Sequence, residues 1–197
     1  KYKEQKMRCP IHLSIGQEAI AVGVCENLTK KDRVFSTHRS HYHYLSKGGN
    51  LNKMIAELYL KKNGCNHGLG GSMHLKDIDV GMISSIPIVG STIPIAVGSS
   101  WGQKIKKENE ITVVFFGEAA TEEGVFHESL DFASLHGLPI LFVCENNLYS
   151  VYSNIRNRQS INRKITNLSK AHGILSKTIQ GNDIEKVFEE TKKAISY

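Results

Sequence analysis

Two short apolar runs with a helical pattern between them are the clearest periodicity in this 197-residue chain. The runs cover residues 111–116 and 139–144 and consist mainly of β-branched, aromatic and other apolar residues. Runs that are apolar on both faces are typical of buried strands in a parallel sheet. Apolar residues recur at helical spacing through residues 121–136. The pattern therefore predicts a strand–helix–strand unit and an α/β fold, with a mostly parallel sheet and helices on both faces.

Weaker patterns predict the remaining elements of a single domain over residues 1–197. Helices are predicted over residues 1–7, 16–27, 50–62, 93–107 and 183–195, the last one capped by Asp183. Further strands are predicted at residues 32–36 and 177–179, a glycine-rich loop at 64–71, and irregular structure at 73–85.

Oxygen-bearing side chains follow the two apolar runs, and they are the first sign of chemistry. Glu118 comes shortly after the first run and Asn147 shortly after the second. The carboxyl ends of parallel strands meet at one edge of a sheet, where α/β proteins bind ligands. Carboxylate and amide oxygens near a helix N-terminus suit a hard divalent cation that holds a phosphorylated cofactor. A nicotinamide-binding domain is disfavoured because no Gly-x-Gly-x-x-Gly motif follows a strand.

Composition narrows the class of protein further. The formal net charge is +6, but the basic residues are dispersed, so we expect a solvated surface and no nucleic-acid partner. No apolar run approaches the roughly 20 residues that cross a bilayer, and no secretory leader is visible, so we expect no membrane association. The four cysteines have no paired spacing, which favours the reducing cytoplasm.

Several strings together carry a family resemblance. Gly-Glu-Ala-Ala-Thr-Glu-Glu-Gly at 117–124 and Glu-Asn-Asn-Leu-Tyr at 145–149 are the longest, and shorter ones lie at 16–19, 37–41, 70–74 and 88–90. In this order they resemble the alpha subunit of thiamine diphosphate-dependent 2-oxo acid dehydrogenases of the pyruvate, branched-chain and acetoin types. The resemblance covers nearly the whole chain. It implies the thiamine diphosphate-binding fold, with thiamine diphosphate and Mg²⁺ as cofactors, and a full subunit with further N- and C-terminal segments.

The resemblance also implies a metal site and a cofactor site. The metal ligands would be the Glu118 carboxylate, the Asn147 side chain and the Tyr149 carbonyl. The family has aspartate where Glu118 stands, so Glu118 would ligate from a shifted backbone, ligate through water, or bind weakly. Read from the residues alone, it could also simply cap the next helix. The full cofactor-binding set is His38, Arg39, Pro87, Val89, Gly117, Glu118, Ala119, Ala120, Asn147 and Tyr149.

Individual members of that set have distinct expected roles. His38 and Arg39 match a Tyr-Arg pair that contacts the diphosphate, and Arg39 suits phosphate oxygens because its guanidinium binds them bidentately. Gly117 would permit a tight turn, followed by amides that face the phosphates. Pro87 and Val89 match the backbone that holds the aminopyrimidine. For Val89, a place in the apolar core is also open.

Three further features of the sequence lie outside the predicted cofactor-binding set. His41 matches a histidine that faces the thiazolium and is the predicted catalytic residue. His43 has no match, and we interpret it as surface or packing; His74 is either close to the site or structural. The basic segment 156–164 is interpreted as a loop over the mouth of the site or as flexible surface.

No carboxylate in the chain matches the glutamate that activates thiamine diphosphate. The resemblance implies that a beta subunit supplies it, in a heterotetramer of two alpha and two beta subunits. The predicted activity is decarboxylation of a 2-oxo acid and transfer of the acyl unit to a lipoyl-domain acyltransferase or another acceptor. Two alternatives remain open: an acetoin-cleaving or ketol-transferring enzyme of the same fold, and a degenerate, non-catalytic subunit.

Overall fold

A four-stranded parallel sheet lies at the centre of the protein, in a computed structural model that describes residues 3–197. The strand order is β2-β1-β3-β4, and each neighbouring pair is parallel. A short antiparallel pair, β5 and β6, follows the last strand. The strand bounds are β1 Arg33–Ser36, β2 Met82–Ser85, β3 Thr112–Gly117, β4 Ile140–Glu145, β5 Tyr149–Ser150 and β6 Ser153–Asn154.

Helices connect the strands of the sheet and also follow its last strand along the chain. Their bounds are α1 Glu18–Cys25, α2 His41–Ser46, α3 Leu51–Leu58, α4 Thr92–Lys106, α5 Gly124–Leu135, α6 Ile165–Ala171 and α7 Ile184–Ile195. Single-turn 3₁₀ segments lie at Ile78–Val80, Glu118–Glu122 and Ile155–Asn157. The predicted cap is confirmed, because the Asp183 side chain accepts a hydrogen bond from the Lys186 amide at 3.0 Å.

The core has two layers because β3 is buried on both faces. Val113 and Phe115 pack into a cluster that α1, α2, α3 and α7 cover, whereas Val114 and Phe116 pack into a second cluster under α4 and α5. Successive side chains of a strand point to opposite faces, so an apolar run fills both layers at once. The predicted α/β class, with helices on both faces of a parallel sheet, is confirmed.

Several predicted elements are wrong in place or in kind. Residues 177–179 form no strand; Ile179 is a partly buried side chain packed against the core, and its flanking residues are exposed. Residues 82–85, predicted as irregular, form β2, which pairs with β1. The strand was missed because two of its four residues are serine. The helix predicted at 50–62 ends at Leu58, and Leu60 adopts a left-handed φ of 54°.

Two further boundaries differ from the prediction. The helix predicted at 121–136 begins at Gly124, because residues 118–122 form a 3₁₀ turn instead. Residues 3–7 form turns and coil rather than a helix, and residues 1–2 of that predicted helix lie outside the described part of the chain.

Candidate functional site

A cleft lies at the carboxyl edge of the sheet, where β3 and β4 end side by side with Gly117 paired to Glu145. Its walls come from these two strand ends, from the residues after β1, from the segment before α4, and from the β5 region. The lining residues are Gln17, Thr37, His38, Arg39, Ile86, Pro87, Ile88, Val89, Gly90, Gly117, Glu118, Ala119, Ala120, Glu145, Asn147, Tyr149, Ser150 and Val151. The structure thus brings every predicted metal- and cofactor-binding residue into one cleft.

Glu118 is the buried acid of this cleft. Its residue is only 2% exposed, and its carboxylate forms an ion pair with the guanidinium of Arg158, which also pairs with Glu122. The interpretation of Glu118 as a helix cap is wrong, because the carboxylate contacts Arg158 and makes no cap hydrogen bond to the start of the helix. The Glu118 carbonyl accepts a hydrogen bond from the Thr121 hydroxyl at 2.7 Å, which fixes the turn.

The other two predicted metal ligands lie in a loop shaped by asparagine side chains. The Asn147 side-chain oxygen accepts a hydrogen bond from the Tyr149 amide at 3.0 Å, and Asn146 binds the Leu148 amide in the same way. Such local bonds hold the chain in a turn. Leu148 accordingly adopts a left-handed φ of 70°.

The donor set of the cleft fits a hard cation. A carboxylate, an amide oxygen and a backbone carbonyl are the ligands that Mg²⁺ takes in proteins alongside phosphate oxygens. Among residues 3–197 no group of three or more His, Cys, Asp or Glu side chains is placed to hold a metal ion. A site here would therefore depend on amide and carbonyl oxygens together with Glu118, as the resemblance implied.

Gly117 does not serve the turn that the sequence suggested. Its φ of −77° and ψ of 160° describe extended backbone open to any residue. A Cβ at this position would meet nothing within 4 Å, so the missing side chain leaves open space in the cleft wall. Gly90 is the glycine that the backbone requires, because its φ is +82° and a Cβ would lie 3.2 Å from Glu123.

The basic residues of the cleft follow β1. The Arg39 guanidinium donates a hydrogen bond to the Leu13 carbonyl. The His38 ring meets the His12 ring edge-on, with centroids 4.8 Å apart. Burial lowers the pKa of His38, and the nearby His12 and Arg39 lower it further. His38 is thus held neutral beside a permanent cation.

His41 lies near this group but does not line the cleft. It begins α2, is buried, and has its Nε2 atom 2.8 Å from the Ser72 hydroxyl. Burial lowers the pKa of His41, a hydrogen bond with Ser72 partly offsets this, and His12 lowers it further. The prediction that His41 faces the reacting atoms therefore has no support from the cleft walls, and its catalytic role stays a prediction.

The segment 86–90, which precedes α4, lines the cleft with its backbone and apolar side chains. Its start is tied to the sheet, because the Ile86 amide donates to the Ser36 carbonyl at 3.1 Å. Ile88 and Val89 are exposed, so the interpretation of Val89 as apolar core is wrong. Ser91 holds the turn by donating from its hydroxyl to the Ile88 carbonyl at 2.8 Å.

Sequence reasoning missed a buried network beside the cleft. The Tyr42 hydroxyl lies 2.6 Å from each carboxylate oxygen of Glu145, and His43 Nε2 lies 3.3 Å from one of them. His43 is fully buried and stacked on Phe115, which confirms the packing interpretation. Burial, followed by the charge of Glu145, raises the pKa of Tyr42. The only sequence signal was the position of Glu145 at a strand end.

The remaining predicted features are placed as follows. His74 is exposed and does not line the cleft. Two arginines of segment 156–164 contact the 3₁₀ turn that carries Glu118: Arg158 through the ion pairs above, and Arg163 through a hydrogen bond to the Thr121 carbonyl. The segment thus lies against the site. Within residues 3–197, no helix is both long and apolar enough to cross a bilayer.

The fold and the cleft define an α/β protein with a candidate ligand site at the carboxyl edge of a parallel sheet. A transketolase from Campylobacter jejuni has a similar structure, with a TM-score of 0.69 at 16% identity, over 92% of this chain and 35% of that chain. This likeness confirms the predicted fold, which is the α/β thiamine diphosphate-binding fold.

Sequence comparison identifies the family. The family model described as "Dehydrogenase E1 component" matches residues 1–197. The chain is 39% identical to the alpha subunit of acetoin:2,6-dichlorophenolindophenol oxidoreductase from Bacillus subtilis, over 94% of this chain and 55% of the relative. It is 37% identical to the chloroplastic pyruvate dehydrogenase E1 component subunit alpha-3 from Arabidopsis thaliana, over 99% of this chain and 47% of the relative.

The chain therefore belongs to the dehydrogenase E1 component family, as the resemblance predicted. It spans about half the length of these curated relatives.

Proposed function

We propose that this chain is the cofactor-holding part of an alpha subunit of a thiamine diphosphate- and Mg²⁺-dependent 2-oxo acid dehydrogenase. The observation that carries the proposal is the cleft itself. It combines a buried carboxylate, an asparagine amide and a loop carbonyl with an arginine, in a member of the dehydrogenase E1 component family. Oxygen ligands beside a cationic side chain suit a cation bound together with a diphosphate.

Different residues of the cleft would bind the cation, the diphosphate and the aminopyrimidine. Glu118, Asn147 and the Tyr149 carbonyl would hold Mg²⁺, and Arg39 would bind phosphate oxygens. The backbone at Pro87 and Val89 would hold the aminopyrimidine. When bound, thiamine diphosphate would supply the nucleophilic carbon and the electron sink that decarboxylation of a 2-oxo acid requires.

The surroundings of the cleft contribute charge and shape. His38 is neutral near neutral pH, so it would donate or accept a hydrogen bond without competing with the cation for the diphosphate. The exposed apolar side chains of Ile88 and Val89 line the cleft and would reduce the access of water to a cofactor bound there. The open space at Gly117 would allow a ligand to approach the backbone closely.

The bonding of the acids in the cleft supports the proposal of a partner subunit. Two carboxylates line it, Glu118 and Glu145, and both are already bonded within the described part of the chain. Neither is free to protonate a cofactor ring. We therefore propose a beta subunit that supplies this acid, in a heterotetramer of two alpha and two beta subunits in the cytoplasm. A lipoyl-domain acyltransferase would accept the acyl unit.

The test is turnover by the reconstituted enzyme. The full-length protein is co-expressed with its genomic neighbour of beta type and assayed with a panel of 2-oxo acids and acetoin, using an artificial electron acceptor. We expect turnover that requires both thiamine diphosphate and Mg²⁺ and that falls at least about 100-fold in Glu118→Gln, since a metal-ligand charge is lost. Turnover that is independent of the cofactor would contradict the proposal.

A second candidate, a non-catalytic subunit, is favoured by the ion pair between Glu118 and Arg158. This pair occupies the carboxylate that a cation would need. Under this alternative, neither the wild type nor Glu118→Asp would turn over any substrate, and neither would bind thiamine diphosphate more tightly with Mg²⁺. Restored activity in Glu118→Asp alone would identify an enzyme disabled at its metal site.

A further inference from the structure

Glu57 is a fully buried carboxylate at the end of α3, outside the cleft. Both of its oxygens accept hydrogen bonds from backbone amides of the glycine-rich loop, residues 64–71. One oxygen binds the amides of Asn66 and Gly68, at 2.7 and 2.9 Å. The other binds those of Gly70 and Gly71, at 2.7 and 3.1 Å. One side chain therefore organises almost the whole loop.

The charge of Glu57 is stabilised by these amides rather than by a cation. None of the ion pairs between described residues involves Glu57. A buried carboxylate without a counter-ion is costly unless its lone pairs are satisfied, and hydrogen bonds to a charged group are about twice as strong as neutral ones. Four amides satisfy both oxygens, so the loop conformation and the burial of this carboxylate depend on each other.

The glycines of the loop fit this arrangement. A Cβ at Gly64 would lie 2.3 Å from a Glu57 carboxylate oxygen and 2.7 Å from its backbone. Gly68 and Gly71 have φ values of +78° and +56°, which side chains rarely adopt. Glycine is thus required at Gly64 by the approach of the loop to Glu57, and at Gly68 and Gly71 by the backbone conformation.

The loop ends directly at the residue that contacts His41. Ser72 follows Gly71, is fully buried, and places its hydroxyl 2.8 Å from His41 Nε2. The position of Ser72, and through it the orientation of the His41 ring, is therefore set at the end of a loop that Glu57 holds.

We propose that Glu57 is a positioning residue, which fixes the glycine-rich loop so that Ser72 orients His41 beside the cofactor cleft. A consequence for catalysis rests on the proposed function, in which His41 acts on the substrate. The structural part, from Glu57 through the loop amides to the His41 ring, does not depend on it.

The experiment uses the full-length protein and compares four forms. Glu57→Gln keeps the shape of the side chain but replaces one acceptor oxygen with a donor, so two loop amides lose their partner. Ser72→Ala removes only the last contact. Glu26→Gln is the matched control, because Glu26 is exposed and has no side-chain hydrogen bond recorded in the described chain. Hydrogen exchange reports the loop amides, and nitrogen-15 NMR reports His41 Nε2.

The proposal predicts a distinct pattern for each form. In Glu57→Gln, exchange accelerates about 10-fold or more at the two loop amides that lose their acceptor, which are either Asn66 and Gly68 or Gly70 and Gly71, and the His41 Nε2 shift changes. In Ser72→Ala the same shift changes while loop exchange stays as in the wild type. Glu26→Gln changes neither. If the enzyme is active, kcat falls in Glu57→Gln and Ser72→Ala while KM stays within about 2-fold.

Two results would overturn the proposal. The first is an unchanged His41 signal in a folded Glu57→Gln. The second covers the case in which that variant does not fold: wild-type loop amides that exchange as fast as those of an unstructured peptide would show that the carboxylate does not hold them. Neither measurement needs cofactor or substrate, so failure here is distinguishable from failure of the proposed activity.

Discussion

Arg158 pairs with the Glu118 carboxylate and would therefore compete with a cation that binds there, so its removal has a predictable effect. The ion pair is largely shielded from water, since the side chains of Arg158 and Glu118 are 15% and 3% exposed. The guanidinium is nevertheless incompletely satisfied, because its buried Nε has no hydrogen-bond partner among residues 3–197. A cation that binds Glu118 must first displace this group.

The magnitude follows from the contacts that are exchanged. A hydrogen bond to a charged group contributes about 1.5–3 kcal/mol, and leaving one member of a buried pair alone costs more than the pair gains. In Arg158→Gln we therefore expect the free energy of unfolding without cation to fall by about 2 kcal/mol. The cation no longer displaces a partner, so its affinity should rise about 30-fold, since every 1.4 kcal/mol is a factor of ten.

The assay is Mg²⁺ titration by calorimetry, with thermal unfolding measured at zero and saturating Mg²⁺. Arg156→Gln is the matched control, because it removes the same charge from the same segment and Arg156 is exposed. The stabilisation by Mg²⁺ should be larger in Arg158→Gln than in either the control or the wild type. If Arg158→Gln binds Mg²⁺ no more tightly than Arg156→Gln, the competition does not exist.

Three further predictions concern groups around the cleft. The pKa values of His38 and His41 are lowered in the folded protein, so the unfolded chain takes up their protons first as pH falls. Stability should therefore decline below about pH 6.5, and His38→Gln should flatten the decline in urea titrations. Tyr42→Phe removes the hydroxyl that contacts Glu145 and should lower the free energy of unfolding by about 1–3 kcal/mol in denaturant titrations. Gly90→Ala should cost at least about 1 kcal/mol, because its φ is +82°, and a thermal shift near zero would contradict this.

The sequence was most informative where one residue property decides the structure. The run that became β3 has four consecutive apolar residues, 113–116, because successive side chains such as Val113 and Val114 face different core layers. The β2 segment, Met-Ile-Ser-Ser, was missed because half of it is polar and its burial depends on a neighbouring strand. The predicted strand at 177–179 has β-forming residues but no strand beside it, so propensity alone was misleading.

The candidate site, like the fold, could be predicted only in part from the sequence. The predicted residues that line the cleft were found because they stand at strand ends or within or beside the strings of the resemblance. The contact between Glu118 and Arg158 joins positions 40 residues apart, and no local pattern reveals it. The loop amides that bind Glu57 could likewise not be predicted, because every non-proline residue has a backbone amide and the sequence does not show which of them bind a side chain. The cytoplasmic location and the heterotetramer stay predictions.

Binding of thiamine diphosphate to the full-length protein and its beta-type partner, measured with and without Mg²⁺, tests the central claim most directly. The account predicts that binding requires Mg²⁺ and that Asn147→Ala weakens it about 10-fold or more, because the cation loses a ligand oxygen. Equal affinity with and without Mg²⁺, together with wild-type affinity in Asn147→Ala, would show that the cleft at the strand ends is not the cofactor site.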